Sequence, residues 1–209
     1  ELQKEAVRLG ETLREKRIQA AKEMETDICE ELRQLDMPKI RFVCEFTPQE
    51  AAETGLDRVR FLMSANVGEA LKPLSKVASG GELARIMLAM KQVLAQQDGV
   101  PTLIFDEVDA GVSGRAAQKV ALKLWAVSKG RQVLCVTHLP QLAAMADVHF
   151  SVEKGERKGR TFTQVEVLDR ERRKAELARL TAGAQITPAA LESAGELLDA
   201  AQRYKKESR

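Results

Sequence analysis

The first thirty-six residues place apolar side chains at helical spacing and contain one glycine, Gly10. Leu2, Ala6, Leu9 and Leu13 follow the four-three spacing of a coiled-coil seam. Lys16-Arg17-Ile18 disturbs the phase, and Met24, Ile28, Leu32 and Leu35 resume one face. The pattern predicts either a surface helix of a globular domain or the end of a longer coiled-coil arm, stopped by Pro38. The period then falls to two. Ile40, Phe42, Cys44 and Phe46 alternate with Arg41, Val43, Glu45 and Thr47, and Val59, Phe61 and Met63 with Arg58, Arg60 and Leu62. Two antiparallel strands joined by a polar loop are predicted. Residues 65–78, with Gly68 and Pro73, read as a loop.

From Glu82 the helical period returns, with Leu83, Ile86, Met87, Met90 and Leu94 on one face. Thr102 to Phe105 is a short apolar strand of the kind covered on both faces. Ala117, Val120, Ala121 and Leu124 mark a further helix, and Val133 to Val136 a second buried strand. This helix–strand–helix–strand order predicts an α/β fold with a mostly parallel sheet. A short helix from Leu139-Pro140 to Ala146 follows, then a hairpin from Phe150–Glu153 and Thr161–Leu168. Asp169 is placed to cap a charged helix that stops near Gly183. Thr187-Pro188, a cap followed by an N1 proline, starts the last helix. The tail, Lys205 to Arg209, is expected to fray.

Composition narrows the class. The 209 residues suit one domain with an appendage and hold enough apolar residues for a core. A net charge of +2 does not announce a nucleic-acid binder, since a basic face can hide in a balanced total. Cys29, Cys44 and Cys135 have no zinc-like or CxxC spacing, which fits a reducing, cytoplasmic compartment. No apolar run is long enough to cross a bilayer. The chain begins mid-pattern at Glu1, without methionine, and reads as a fragment or processed piece.

Three short stretches carry candidate chemistry. Ser79-Gly80-Gly81-Glu82 can be a capping box, with Ser79 as N-cap and Glu82 three residues on. It can equally be an anion-binding turn, because two glycines let backbone N–H groups approach a phosphate at the positive end of a helix. Leu103 to Glu107 is an apolar strand ending in two carboxylates, which are costly unless something binds them. At a strand's carboxyl end they face the crevice where α/β sheets bind ligands. Asp106 is placed to hold Mg²⁺ through water, and Glu107 to orient or deprotonate a water. His138 ends the second strand after Thr137, and would stand beside the two carboxylates if the strands are neighbours. The competing readings are a helix-capping acid with a solvated one, and a structural histidine. His149 has no such context and reads as surface or core.

In this order the three stretches resemble the ATP-binding-cassette ATPase family. Ser79, Gly80, Gly81 and Glu82 look like its signature motif, and Leu103 to Glu107 like its Walker B strand with the catalytic glutamate. Asp109, Gly111 and Ser113 occupy the D-loop place, and His138 the switch-histidine place. Ser113 departs from the aspartate of many cassettes. The arm-like helix entering just before the strands, together with the run from Leu71 to Ala89, Phe105 to Arg115 and Val136 to Gln141, narrows the likeness to SMC-like bacterial DNA-repair ATPases. The resemblance spans most of residues 37–183. It implies a head lobe of P-loop NTPase-like fold at 38–209, with the end of a coiled-coil arm at 1–37. ATP and Mg²⁺ are implied as cofactors. The implied partners are an amino-terminal lobe carrying Walker A, a second identical head, and DNA, in a nucleoid-associated cytoplasmic protein of double-strand break repair and recombination. No G-x-x-x-x-G-K-[ST] loop occurs in the 209 residues, so this piece alone is expected to be inactive. The rival readings are the ATPase subunit of a membrane transporter and a non-enzymatic dimerisation module. For DNA, Arg157-Lys158-Gly159-Arg160 and Arg170 to Lys174 are candidate phosphate contacts, with a solvated face the favoured reading of both.

Overall fold

In a computed structural model, residues 1–64, 68–76, 80–95, 99–157, 160–183 and 185–208 are described. The chain divides into two compact units, Glu1–Val100 and Pro101–Arg209.

In the first unit, helix α1 spans Leu2–Gln34. It ends where Asp36 turns into the left-handed region at φ 64° and Met37 N–H closes on the Leu32 carbonyl at 2.9 Å. The two halves of α1 differ. Ile28 and Leu32 are fully buried, as is Leu35 just beyond the helix, whereas Leu2, Leu9 and Leu13 are exposed. Strands β1 (Arg41–Ala52) and β2 (Gly55–Ser64) pair antiparallel, with Phe42 opposite Met63 and Cys44 opposite Phe61. Phe42, Cys44 and Met63 face the core.

The hairpin runs further than its apolar alternation predicts, because its outer part is held by α1. A Cβ on Gly10 would meet Leu56 Cγ at 2.5 Å, so only glycine permits this approach. Arg14 clasps Asp57 with Nε–Oδ2 at 2.8 Å and Nη2–Oδ1 at 2.6 Å, a fork that holds the Asp57 carboxyl below its usual range. Arg17 donates to the Thr54 carbonyl at 2.8 Å. Nearer the core, the Cys44 N–H donates to Glu25 Oε1 at 2.6 Å, and burial, with Glu25 beside it, pushes the Cys44 thiol up to about 11. The predicted loop holds a short strand β3 (Lys72–Pro73) on β2 and a 3₁₀ turn, Leu74–Lys76.

Helix α2 spans Gly80–Val93. Its buried face is Gly81, Arg85, Ile86, Leu88, Ala89 and Met90, while the expected Met87 is exposed. The run from Ile86 to Met90 is apolar all round, so spacing alone could not choose the face.

In the second unit, β4 (Thr102–Phe105) and β5 (Gln132–Cys135) form a parallel pair with Phe105 opposite Cys135, linked by α3 (Gly114–Val127). Ala117, Val120, Ala121, Leu124 and Val127 make the buried stripe of α3. Next come α4 (Pro140–Met145), the hairpin β6 (Phe150–Arg157) with β7 (Arg160–Val167), α5 (Arg170–Ala182) and α6 (Pro188–Glu207). Asp169 accepts from Arg172 N–H at 2.9 Å, Gly183 ends α5 at φ 74°, and Thr187 accepts from Ala190 N–H at 3.2 Å, as the cap residues predict.

The C-terminal tail is not frayed through residue 208. Lys205 pairs with Asp147 at 2.7 Å, Lys129 donates to the Ser208 carbonyl at 2.8 Å, and Tyr204 packs edge-on against Trp125. The β4–β5 pair also departs from expectation. Leu103 and Phe105 are buried, but on the other face Ile104 is 72% exposed, Val136 64% and Leu134 43%. On the second hairpin the cross-strand pairs Phe150–Val167 and Val152–Val165 are exposed as well.

Candidate functional site

The strands β4 and β5 are neighbours, and one further rung, Val136 N–H to the Phe105 carbonyl at 3.0 Å, carries the pairing to their carboxyl ends. There the chain leaves β4 through Asp106-Glu107 and leaves β5 through Thr137-His138. Asp106 and Glu107 are both exposed, and Asp106 Oδ1 accepts from Glu107 N–H at 3.0 Å. Among the described residues, Glu107 is one of two non-glycine residues with positive φ, at 56°. That conformation costs about 1–2 kcal/mol for a residue bearing a Cβ, and strain of this kind gathers where a side chain must be aimed.

Two turns follow, Ala110 N–H to the Glu107 carbonyl at 3.0 Å and Val112 N–H to the Asp109 carbonyl at 3.2 Å. They turn Val108 and Asp109 inward. Gly111, at φ 73°, and Ser113 remain exposed. Ser113 stands at the start of α3 but makes no side-chain capping bond.

Asp109 is 3% exposed, and its carboxylate binds the end of the other strand. Oδ2 accepts from the Thr137 hydroxyl and from His138 N–H, the latter at 3.1 Å, and lies 3.3 Å from His138 Nδ1. Thr137 Oγ1 in turn accepts from Leu139 N–H at 3.0 Å, at the start of α4. The far end of α4 is held by Arg173, whose Nη2 donates to the carbonyls of Ala143, Ala144 and Ala146 at 3.2, 3.3 and 2.8 Å. Cys135, half-buried, is the last residue of β5. Burial, with Asp109 and Asp106 adding negative charge, pushes its thiol up to about 12, which disfavours the reactive thiolate.

The predicted site residues thus fall into two groups. Asp106, Glu107, Asp109 and His138 stand at the adjoining strand ends, where the imidazole of His138 lies against Asp109. Gly80, Gly81 and Glu82 form the first turn of α2 in the other unit, and Ser79 lies outside the described residues. Sequence reasoning missed the hydrogen-bonding part of Thr137 and the clamp formed by Arg173. A threonine before a helix start was one legible sign; Arg173 was hidden in a charged run.

Among the described residues no three His, Cys, Asp or Glu side chains converge as a metal cage. Mg²⁺ held here would rest on Asp106 together with phosphate oxygens and water, the usual preference of that ion. Of the candidate DNA contacts, Arg170 pairs with Asp199, Arg172 with Glu166, and Arg173 with α4. Lys158 and Gly159 lie outside the described residues.

No family model matches the chain. Among solved structures, the Smc head domain with a coiled coil and joint from Pyrococcus yayanosii superimposes with a TM-score of 0.56 at 22% identity, over 79% of this chain and 30% of that one. The fold is that of an SMC head domain. The chain is 46% identical over 201 residues to the DNA repair protein RecN of Bacillus subtilis (strain 168), covering 88% of this chain and 35% of the relative. It is 45% identical over 197 residues to RecN of Vibrio cholerae, covering 93% and 36%. The chain belongs to the RecN family, and spans about a third of the length of these relatives.

Proposed function

We propose that this chain is the carboxyl-terminal lobe of a Mg²⁺-dependent ATPase head in a DNA repair protein, and that it supplies half of each composite ATP site. The observation that carries the reading is the meeting of Asp106, Glu107 and His138 at the carboxyl ends of two paired parallel strands, with Glu107 held in a strained, exposed conformation. The relatives' name assigns them to DNA repair, which makes DNA the partner of this chain in the same reading. The bare apolar face of β4–β5 supports a further lobe, the one bearing Walker A, as its cover. The reducing cytoplasm suits its three free cysteines.

ATP and Mg²⁺ supply the phosphoryl group and the charge that holds it. Asp106 would hold the ion, Glu107 would orient and deprotonate the attacking water, and His138 would contact the γ-phosphate oxygens. Gly80 and Gly81, at the positive end of α2, together with Ser79, which precedes them in sequence, would reach the γ-phosphate held by the partner head. Most of the rate gain comes from positioning and charge complementarity. The arm α1 then passes head closure and release to bound DNA.

Two experiments test this. In the full-length protein Glu107→Gln lowers ATP turnover by at least about 100-fold while ATP binding persists; retained hydrolysis removes Glu107 from the role of base. Gel filtration of a head completed by its amino-terminal lobe shows an ATP-dependent shift from monomer to dimer. An elution volume indifferent to ATP favours the scaffold reading instead.

A further inference from the structure

We propose that Asp109 is a positioning residue for His138: it fixes which imidazole nitrogen faces the γ-phosphate and ties the post-β4 turn to the switch strand. The inference rests on the ATPase reading above. Asp109 is nearly inaccessible to solvent, so it can reach no ligand itself. A buried carboxylate is tolerated when its oxygens are hydrogen-bonded, and here one oxygen gathers the Thr137 hydroxyl, the His138 N–H and the approach of His138 Nδ1. All three donors belong to two consecutive residues at the end of β5. A carboxylate accepts only, so the pairing favours the tautomer with its proton on Nδ1. The His138 side chain is 74% exposed although its Nδ1 edge is anchored, which leaves Nε2 free to face outward. Because Asp109 opens the turn that exposes Gly111 and Ser113, any shift of that turn also moves the anchor of His138.

A double-mutant cycle in the full-length protein tests the assignment. Asp109→Asn keeps the shape and removes the charge. It is expected to lower kcat for ATP about tenfold with KM for ATP unchanged, and to have no further effect in a His138→Gln background. Thr137→Val, which removes one donor to the same oxygen, gives a smaller kcat loss that is likewise absorbed by His138→Gln, and serves if Asp109→Asn does not fold. Losses that multiply in the double variants, or a KM effect without a kcat effect, overturn the role of Asp109. Full activity of His138→Gln alone overturns both this assignment and the placement of His138 in the site; loss there with multiplying double variants overturns the Asp109 assignment only.

Discussion

The last turns of α1 and the outer face of β4–β5 are both aliphatic, yet they meet opposite fates. Ile28, Leu32 and Leu35 are at 0% exposure, while Ile104 and Val136 stand mostly in solvent. The first surface is closed within its own unit by β1, β2 and α2. The second is apolar on a strand whose carboxyl end bears the candidate site. In the proposed reading, the apolar face left bare beside the strand-end carboxylates is where the further lobe would join.

The contrast can be broken by substitution. Leu32→Ala leaves a cavity in a closed core and is expected to cost about 2–5 kcal/mol, read as a fall in Tm and in the midpoint of denaturant unfolding. A cost below about 1 kcal/mol would mean that this half of α1 is an arm rather than part of the core. Ile104→Ala should cost less than about 0.5 kcal/mol in this chain alone but about 2 kcal/mol or more in the full-length protein, where the proposed lobe covers it. Equal small effects in both would leave the sheet face uncovered and remove that support for the missing lobe.

Two smaller effects concern the second unit. Glu107→Gly relieves the left-handed strain and should raise its stability by up to about 1 kcal/mol while abolishing turnover. Loss of stability would show that the Glu107 side chain holds the turn together. His149 is half-buried, its Nδ1 has no hydrogen-bond partner, and burial, with Arg173 nearby, lowers its pKa. The fold therefore favours neutral imidazole. Its contribution is fully present above the unfolded-state pKa and is lost as pH falls through the ordinary imidazole range towards the lowered folded value. His149→Phe should flatten the stability profile between about pH 7 and 5; an unchanged slope would put the pH dependence elsewhere.

Much of this architecture was legible because local chemistry agreed with the final fold. The caps at Asp169 and Thr187, the stop at Gly183 and the strand at 102–105 depend on neighbours in sequence, and they lie where the residues predict. The long-range contacts were not legible. Gly10 beneath Leu56, Arg14 on Asp57 and Asp109 on Thr137 join positions far apart, and no periodicity announces them. On α2, Ile86 and Met90 are buried as predicted, but Met87 is exposed and Leu88 and Ala89 are buried instead, since an apolar run has no polar side to orient it. At the site, Asp106, Glu107 and His138 could be named from the strand ends. The inward turn of Asp109 required the two turns after Glu107, which place it opposite the end of β5.

The central claim is that Ser79 to Glu82 serves the partner head's nucleotide rather than its own. Two full-length variants, each inactive alone, Ser79→Arg and Glu107→Gln, can be mixed and allowed to exchange subunits. In a heterodimer of the two, one composite site receives an intact Ser79 from one head and an intact Glu107 from the other. Random pairing then restores about a quarter of wild-type turnover, because half the dimers each carry one working site. If signature and glutamate act on the same nucleotide within one head, every head in the mixture carries a defect, and no activity returns.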